Sequence, residues 1–246
     1  MRGKTHCAIG VLAAIQTSLL FKIPLSFFNI FICSFFSILP DLDEPNSIIS
    51  TFFFKKETSK FIYKLLIYSL NIIIFIISIK INNNFIVSAI FTFLSIIFIE
   101  KKLTHNLLRK FFLSLIFLLL GFCLYLLKVK MYFVYFTVLL SIFPWVKHRT
   151  FSHSLFACLI LFFILRQIEI TLHIPYLSVF GTTGFLSHII LGDLFTRQGV
   201  PLFYPLSNKK FSFGNLKVGG SFSNILEILF IVCFMIIIIY TLVKFG

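Results

Sequence analysis

Nine apolar segments, separated by short polar connections, run through almost the whole length of this 246-residue chain. Charged residues make up 12% of it, about half the share of a typical soluble domain. Because a helix crosses a bilayer with about 20 apolar residues, the sequence predicts an all-α, polytopic membrane protein with about eight to nine membrane-embedded helices. The first segment is short for a full crossing, and the sequence leaves open whether it spans. The segments are Ala8–Phe21, Phe27–Leu39, Phe61–Ile79, Phe85–Ile99, Phe111–Leu127, Met131–Trp145, Leu155–Ile168, Tyr176–Phe195 and Ile225–Val243.

The domain organisation follows from how the apolar segments are connected. We expect residues 1–246 to form a single integral-membrane domain. Its four middle segments have short connections and carry almost no reactive side chains apart from Glu100 and His105 in the central loop. This pattern favours two helical hairpins, so residues 61–145 are predicted to be a transmembrane hairpin insertion.

Polar residues that are expensive to place in a membrane gather in four short clusters. All three aspartates and four of the six histidines of the chain lie in them. Imidazole and carboxylate groups without cysteine suit zinc, manganese or iron, and zinc is the usual choice for hydrolysis. These donors exceed one tetrahedral site, so the sequence predicts one or two divalent ions, with zinc favoured over manganese. The candidate ligands are His6, Asp41, His148, His153, His188 and Asp193.

The distribution of positive charge predicts the orientation of the chain. Counting the nine passages places all four polar clusters on one side of the membrane, together with most of the 22 lysines and arginines. Positive loops favour the cytoplasm, so we expect the site on the cytoplasmic side. The net charge of +14 comes without a basic helix or interleaved aromatic residues, which argues against nucleic acid as a partner. The lipid bilayer is the expected partner.

Other chemistries have weaker support in the sequence. Ser152 and Ser154 flank His153, but neither belongs to the GxSxG elbow of a serine hydrolase. A glycine-rich stretch at residues 219–221 lacks the lysine spacing of a phosphate-binding loop. The five cysteines form no CxxC pair, and we predict that they are buried small hydrophobic residues. Metal chemistry is therefore the favoured interpretation of the polar clusters.

The order of these motifs resembles the YdjM-like family of bacterial inner-membrane proteins, which are described as metal-dependent hydrolases, some under LexA control. The motifs are His6, LPDLDEPNS (Leu39–Ser47), HRTFSHS (His148–Ser154) and GFLSH…D…T…GVPLFYP (Gly184–Pro205). The resemblance implies an inner-membrane location and metal-site roles for the six candidate ligands and for Asp43. It adds Glu227, which follows a glycine–serine turn as a late acidic residue does in similar sequences.

One spacing departs from the family pattern. There the aspartate comes four residues after the histidine of the SH motif, whereas Asp193 is five residues after His188. On an ideal α-helix the two side chains would be about 140° apart rather than about 40°. Either a π-bulge restores the common facing, or Asp193 has a role outside the first metal site.

We therefore hypothesise hydrolysis by a metal-activated water, acting on a phosphoester or lipid-linked substrate at the cytoplasmic face. Asp43 or Glu227 would be a general base or a ligand of a second metal, and Arg149 would stabilise an anionic oxygen. Two alternatives stay open. A non-catalytic metal-binding or transport protein would use the same ligands, and a purely structural envelope protein would need none of them.

Overall fold

The computed structural model describes residues 3–214 and 221–245. Within these residues the fold consists of ten α-helices and several short turns, without a β-strand beyond an isolated bridge between Val200 and Phe211. The prediction of an all-α protein is therefore confirmed. The helices are α1 (Gly3–Phe21), α2 (Phe27–Phe36), α3 (Ile48–Phe53), α4 (Lys56–Asn82), α5 (Phe85–Lys102), α6 (His105–Leu126), α7 (Met131–Ile142), α8 (Leu155–Leu172), α9 (Leu177–Ser187) and α10 (Ser221–Phe245).

Six helical segments of the described chain are long and apolar enough to cross a membrane, so the protein is multi-pass. The predicted number of about eight to nine membrane-embedded helices is not confirmed. Three apolar segments account for the difference, because α2 has 10 residues and α7 has 12, while α5 ends in three charged residues. The six segments are Gly3–Phe21, Lys56–Asn82, His105–Leu126, Leu155–Leu172, Leu177–Phe195 and Asn224–Lys244.

Helix α9 and the turns that follow it form the centre of the described bundle. In the span Leu177–Phe195, 72% of the residues are buried, against 11% for the span of α4. Helices α1, α2 and α8 pack around α9, and its Phe180 and Phe185 are fully buried. The polar residues at the end of α9 are thus held by the best-packed part of the protein.

Helices α9 and α2 approach each other closely at Gly184. A Cβ atom on Gly184 would lie 2.1 Å from the carbonyl oxygen of Cys33 and 3.0 Å from its Cα. Small residues let membrane helices approach in this way. The contact brings the residues after α2 to the end of α9, where the carbonyl of Ser37 meets His188.

The two hairpins of residues 61–145 differ in how they pack. Helices α4 and α5 pack on each other and leave most of their apolar side chains exposed, as expected for a surface that faces lipid. Helices α6 and α7 contribute Phe117, Leu139 and Leu140 to the main hydrophobic core. That this stretch is an insertion stays a prediction, but only α4 and α5 are peripheral.

Candidate metal centre

Every predicted ligand lies at a helix end or in the turn beside it. His6 is in the first turn of α1, and Asp41 is in a 3-10 turn, Leu39–Asp43, that follows α2. His153 ends the turn that precedes α8, and His188 opens the turn that follows α9. The bundle brings these ends together, so residues far apart in the sequence form one buried polar cluster.

Four donor atoms of this cluster converge on one another. They are Nε2 of His153, Nε2 of His188, Oδ1 of Asp41 and Oδ2 of Asp193, and we refer to these four residues as the quartet. The two nitrogens are 3.2 Å apart. The Asp193 oxygen lies 3.1 Å from His153 and 3.6 Å from His188, and the Asp41 oxygen lies 3.9 Å and 3.6 Å from the same nitrogens.

These separations fit a divalent ion. In a tetrahedral zinc site with bonds of about 2.0–2.1 Å, neighbouring donor atoms are about 3.3–3.4 Å apart. Two imidazole nitrogens and two carboxylate oxygens are also common zinc donors. The quartet therefore has both the spacing and the chemistry of such a site.

The Nδ1 atoms of the two quartet histidines, which face away from the quartet, have hydrogen-bonding neighbours that hold the rings in place. Nδ1 of His188 donates to the carbonyl oxygen of Ser37 at 2.7 Å, which leaves its Nε2 facing the quartet. Nδ1 of His153 lies 3.0 Å from the Ser152 hydroxyl and 3.4 Å from Oδ2 of Asp43. Partners of this kind fix the tautomer and the orientation of metal-binding histidines.

The electrostatics of His153 follow from the same neighbours. Burial alone would lower the pKa of His153, but its hydrogen bonds with Asp193 and Asp43 outweigh burial and raise the pKa to about 10. This pKa predicts that in the metal-free protein both ring nitrogens of His153 carry a proton at neutral pH. A metal ligand must be neutral, so an ion and this proton compete for the same nitrogen.

We expect zinc binding at pH 7.5 to release about one proton from His153. Since the pKa of about 10 belongs to the metal-free state, the release should fall to zero as the pH rises through that value, and zinc affinity should weaken as the pH falls. Isothermal titration in buffers of different ionisation enthalpy measures the proton count. A buffer-independent enthalpy at pH 7.5 would contradict this account of His153.

His6 forms the second layer of the cluster. Its ring stacks on His188 with a centroid separation of 3.8 Å, and its Nε2 lies 4.0 Å from Oδ1 of Asp193. Its Nδ1 is buried and has no hydrogen-bond partner among the described residues. Donor atoms of His6, His188 and Asp193 lie within 4.8 Å of one another, as do those of a second trio that contains His148. The donor set is therefore large enough for two neighbouring ions.

The turn after α9 explains the unusual spacing of Asp193. Residues His188–Gly192 form a π-helical turn, which is wider than an α-turn by one residue. This extra residue brings His188 and Asp193 onto the same face, so the structure contains the π-bulge that was one of the two explanations for the spacing. Gly192 also allows α1 to approach, since a Cβ atom there would lie 2.3 Å from Cε1 of His6.

Asp43 lies behind the histidines. Its Oδ1 accepts from Nδ1 of His148 at 2.7 Å, and its Oδ2 accepts from the Ser152 hydroxyl and faces His153. Burial alone would raise the pKa of Asp43, but hydrogen bonds from the two histidines hold this pKa well below its ordinary value. An ionised carboxylate thus connects His148 to the quartet.

Arg149 orients the carboxylate of Asp193. Its guanidinium donates to Oδ1 of Asp193 at 2.9 Å, and to Thr196 at 2.8 Å and Gln198 at 3.2 Å. Oδ2 of Asp193 is left to face the histidines of the quartet. The side chain of Arg149 is buried, so the described residues place it against Asp193 rather than in an open cleft.

Glu227 lies at the edge of this cluster. It is buried on α10, and it accepts from the Thr5 hydroxyl at 2.5 Å. Thr5 precedes His6, and Glu227 belongs to neither trio of donor atoms within 4.8 Å. The glycines that precede Glu227 in the family motif, Gly219 and Gly220, lie outside the described residues.

Two residues that contact the quartet histidines, Ser152 and Ser37, were not predicted as site residues from the sequence. Ser152 lies inside the HRTFSHS motif, so its position next to His153 was a usable signal. Ser37 contributes a backbone carbonyl, and no sequence pattern marks the partner of a backbone atom. The two histidines outside the four polar clusters, His105 and His173, form no contact with the quartet among the described interactions.

Comparison with known proteins agrees with the sequence motifs. A family model described as YdjM inner membrane protein matches residues 1–245. No match is found among curated proteins or among solved structures.

Proposed function

Because the match covers the whole chain, the protein belongs to the YdjM inner membrane protein family, and we propose that it is a membrane-bound metal-dependent hydrolase. Its substrate would be a phosphoester or a lipid-linked compound, cleaved at the cytoplasmic face. The observation that carries this proposal is the convergence of His153, His188 and two carboxylates at separations of 3.1–3.9 Å. Such buried ionisable groups are retained in membrane proteins mainly for function.

The quartet would hold one divalent ion, zinc or manganese, and His6 and His148 extend the donor set towards a second. A bound ion would supply Lewis acidity and a nucleophilic water at neutral pH. Asp43 keeps the two histidines on either side of it in fixed tautomers, and Arg149 keeps one oxygen of Asp193 directed at the quartet. We assign both residues a positioning role, while Glu227 is the remaining candidate for a proton acceptor.

The cytoplasmic location of the site is supported by charge. The connections next to the quartet carry Lys147, Arg197, Lys209 and Lys210. Positively charged connections are retained on the cytoplasmic side of inner-membrane proteins. Since all the quartet residues come from the same end of the bundle, one orientation places them all on that side.

Metal binding or transport without hydrolysis is the second candidate. The same donors would serve, and the burial of the quartet favours tight binding. A transport path would need further ligands along the spans, and residues 61–99 and 111–145 contain no aspartate, glutamate or histidine. Hydrolysis is therefore the function that the donor set supports better.

The proposal predicts zinc- or manganese-dependent phosphodiesterase activity in detergent-purified protein. His153→Ala should lower the rate at least about 100-fold, because the quartet loses one of its four ligands. His105→Ala is the matched control and should retain the rate, since His105 lies outside the quartet. The assay would use bis(p-nitrophenyl) phosphate and a phospholipid in mixed micelles. Metal-loaded protein that cleaves neither compound would leave the binding or transport function standing.

A further inference from the structure

A cavity lined mainly by polar residues lies beside the quartet, at the surface of the bundle. It has a volume of about 420 Å³ and lies between the connection that precedes α8 and the one that follows α9. Its polar lining consists of Lys147, His148, Thr150, Tyr204, Asn208 and Lys210. Cavities of about 300–1,000 Å³ are the usual size of small-molecule sites.

The lining has the chemistry of an anion site. Lys147 and Lys210 supply two positive charges, and hydroxyl and amide groups supply neutral donors. No carboxylate is among the lining residues. Two carboxylates lie next to the lining residue His148: Asp43 accepts a hydrogen bond from it, and an oxygen of Asp41 lies within 4.8 Å of one of its donor atoms. An anion in this cavity would therefore meet positive charge and hydrogen-bond donors in the lining itself.

His148 connects the cavity to the quartet. Its side chain is 33% exposed, whereas the side chains of His153 and His188 are fully buried. One donor atom of His148 lies within 4.8 Å of donor atoms of His153 and Asp41. A molecule bound in the cavity would therefore contact His148, which lies between the cavity and the buried metal-binding residues.

We propose that this cavity binds the phosphate group of the substrate, held by Lys147 and Lys210 with help from Tyr204 and Asn208. As a substrate site the cavity rests on the proposed hydrolase function, but its affinity for phosphate does not. The bound group would be a phosphate ester that enters from the aqueous side. It could belong to a lipid headgroup or to a soluble phosphate ester.

The only tryptophan of the chain offers a probe of this cavity. Trp145 is 50% exposed and lies two residues before Lys147. Full-length protein in a neutral detergent, stripped of metal with a chelator, would be titrated with inorganic phosphate at constant ionic strength. A second arm uses dihexanoyl phosphatidic acid below its micellar concentration. Equilibrium dialysis with radiolabelled phosphate provides a second readout that does not depend on Trp145.

We expect saturable phosphate binding, weakened about five- to tenfold by either Lys147→Ala or Lys210→Ala, as the loss of one close charge predicts. Lys209→Ala is the matched control, because Lys209 is in the same connection but lies over the ring of Phe211 and outside the cavity lining. It should change the affinity less than about twofold. Tighter binding of dihexanoyl phosphatidic acid than of phosphate identifies a lipid source, and equal binding identifies a soluble ester.

Two results would overturn the proposal. One is the absence of saturable binding in both readouts, and the other is an equal loss of affinity in Lys209→Ala and Lys210→Ala. Failure of the hydrolase function would look different, because phosphate would still bind in a lysine-dependent way while the metal-loaded protein cleaved nothing. If the protein hydrolyses its substrate but Lys147→Ala and Lys210→Ala leave the phosphate affinity unaltered, the proposed phosphate site is wrong and the hydrolase function still holds.

Discussion

Gly184→Ala is expected to destabilise the protein by at least about 3 kcal/mol, more than ordinary overpacking of a core. The new Cβ atom would lie 2.1 Å from the carbonyl oxygen of Cys33, and backbone atoms cannot rotate away as side chains do. Helix α2 must therefore move away from α9, which also draws the Ser37 carbonyl away from His188. Size-exclusion chromatography of detergent-solubilised protein after stepwise heating measures the loss.

Gly121→Ala is the matched control on the α6–α7 hairpin. Its Cβ atom would also make a close contact, 2.4 Å from Oγ1 of Thr137. That atom belongs to a side chain, which can rotate away at the cost of its hydrogen bond to the carbonyl of Val134, about 1 kcal/mol. A Gly184→Ala protein as stable as the Gly121→Ala protein would contradict the packing of α2 against α9.

Asp43→Asn is expected to weaken metal affinity about 10- to 100-fold without changing the number of ions bound at saturation. Both oxygens of Asp43 accept hydrogen bonds, one from His148 and the other from Ser152 with His153 beside it. An asparagine replaces one acceptor with an NH₂ donor, so one of these groups loses its partner. Competition with a chromophoric chelator measures the affinity.

Glu44→Gln tests whether the effect of Asp43→Asn comes from charge alone. Glu44 is the next acidic residue, and its carboxylate accepts only from the backbone of Asn46 among the described interactions. Its replacement removes the same charge and should leave the affinity within about twofold. If Asp43→Asn also removes an ion at saturating metal, Asp43 is a ligand rather than a positioning residue.

The location of the site could be predicted from the sequence because its residues sit at helix ends. Alternating apolar and polar segments give the order of these ends. The count of nine passages that placed the four clusters on one side is not confirmed, because six segments are long and apolar enough to cross. The helix packing, rather than that count, brings His153 and His188 together. The π-turn was predictable as one of two explanations for the spacing of Asp193. Both the order of the helix ends and the spacing of His188 and Asp193 can be read directly from the sequence.

The roles of the individual carboxylates could not be predicted in the same way. Asp41 and Asp43 look equivalent in the motif, but they lie two residues apart in a 3-10 turn, where successive side chains point about 120° apart. One oxygen of Asp41 therefore faces the Nε2 atoms, while Asp43 faces Nδ1 of His148. Arg149 likewise could not be assigned from the motif: its backbone adopts a left-handed conformation, with φ of 60°, and its guanidinium contacts Asp193.

The number of spans depended on tertiary features that hydropathy does not contain. Helix α2 has only 10 residues because the chain turns at Pro40 into the site. Helix α5 is apolar over most of its length but ends in Glu100, Lys101 and Lys102. Local composition identified both as membrane segments, whereas a crossing depends on uninterrupted length.

The central claim is that distant clusters build one metal centre, and the metal content of the purified protein tests it most directly. Inductively coupled plasma mass spectrometry would compare detergent-purified wild type with His153→Ala, Asp41→Ala and the control His105→Ala. We expect about one to two equivalents of zinc or manganese in the wild type and the control, and none in the two quartet variants. Well-folded wild type that contains no metal, and takes up none when zinc or manganese is supplied, would contradict the account.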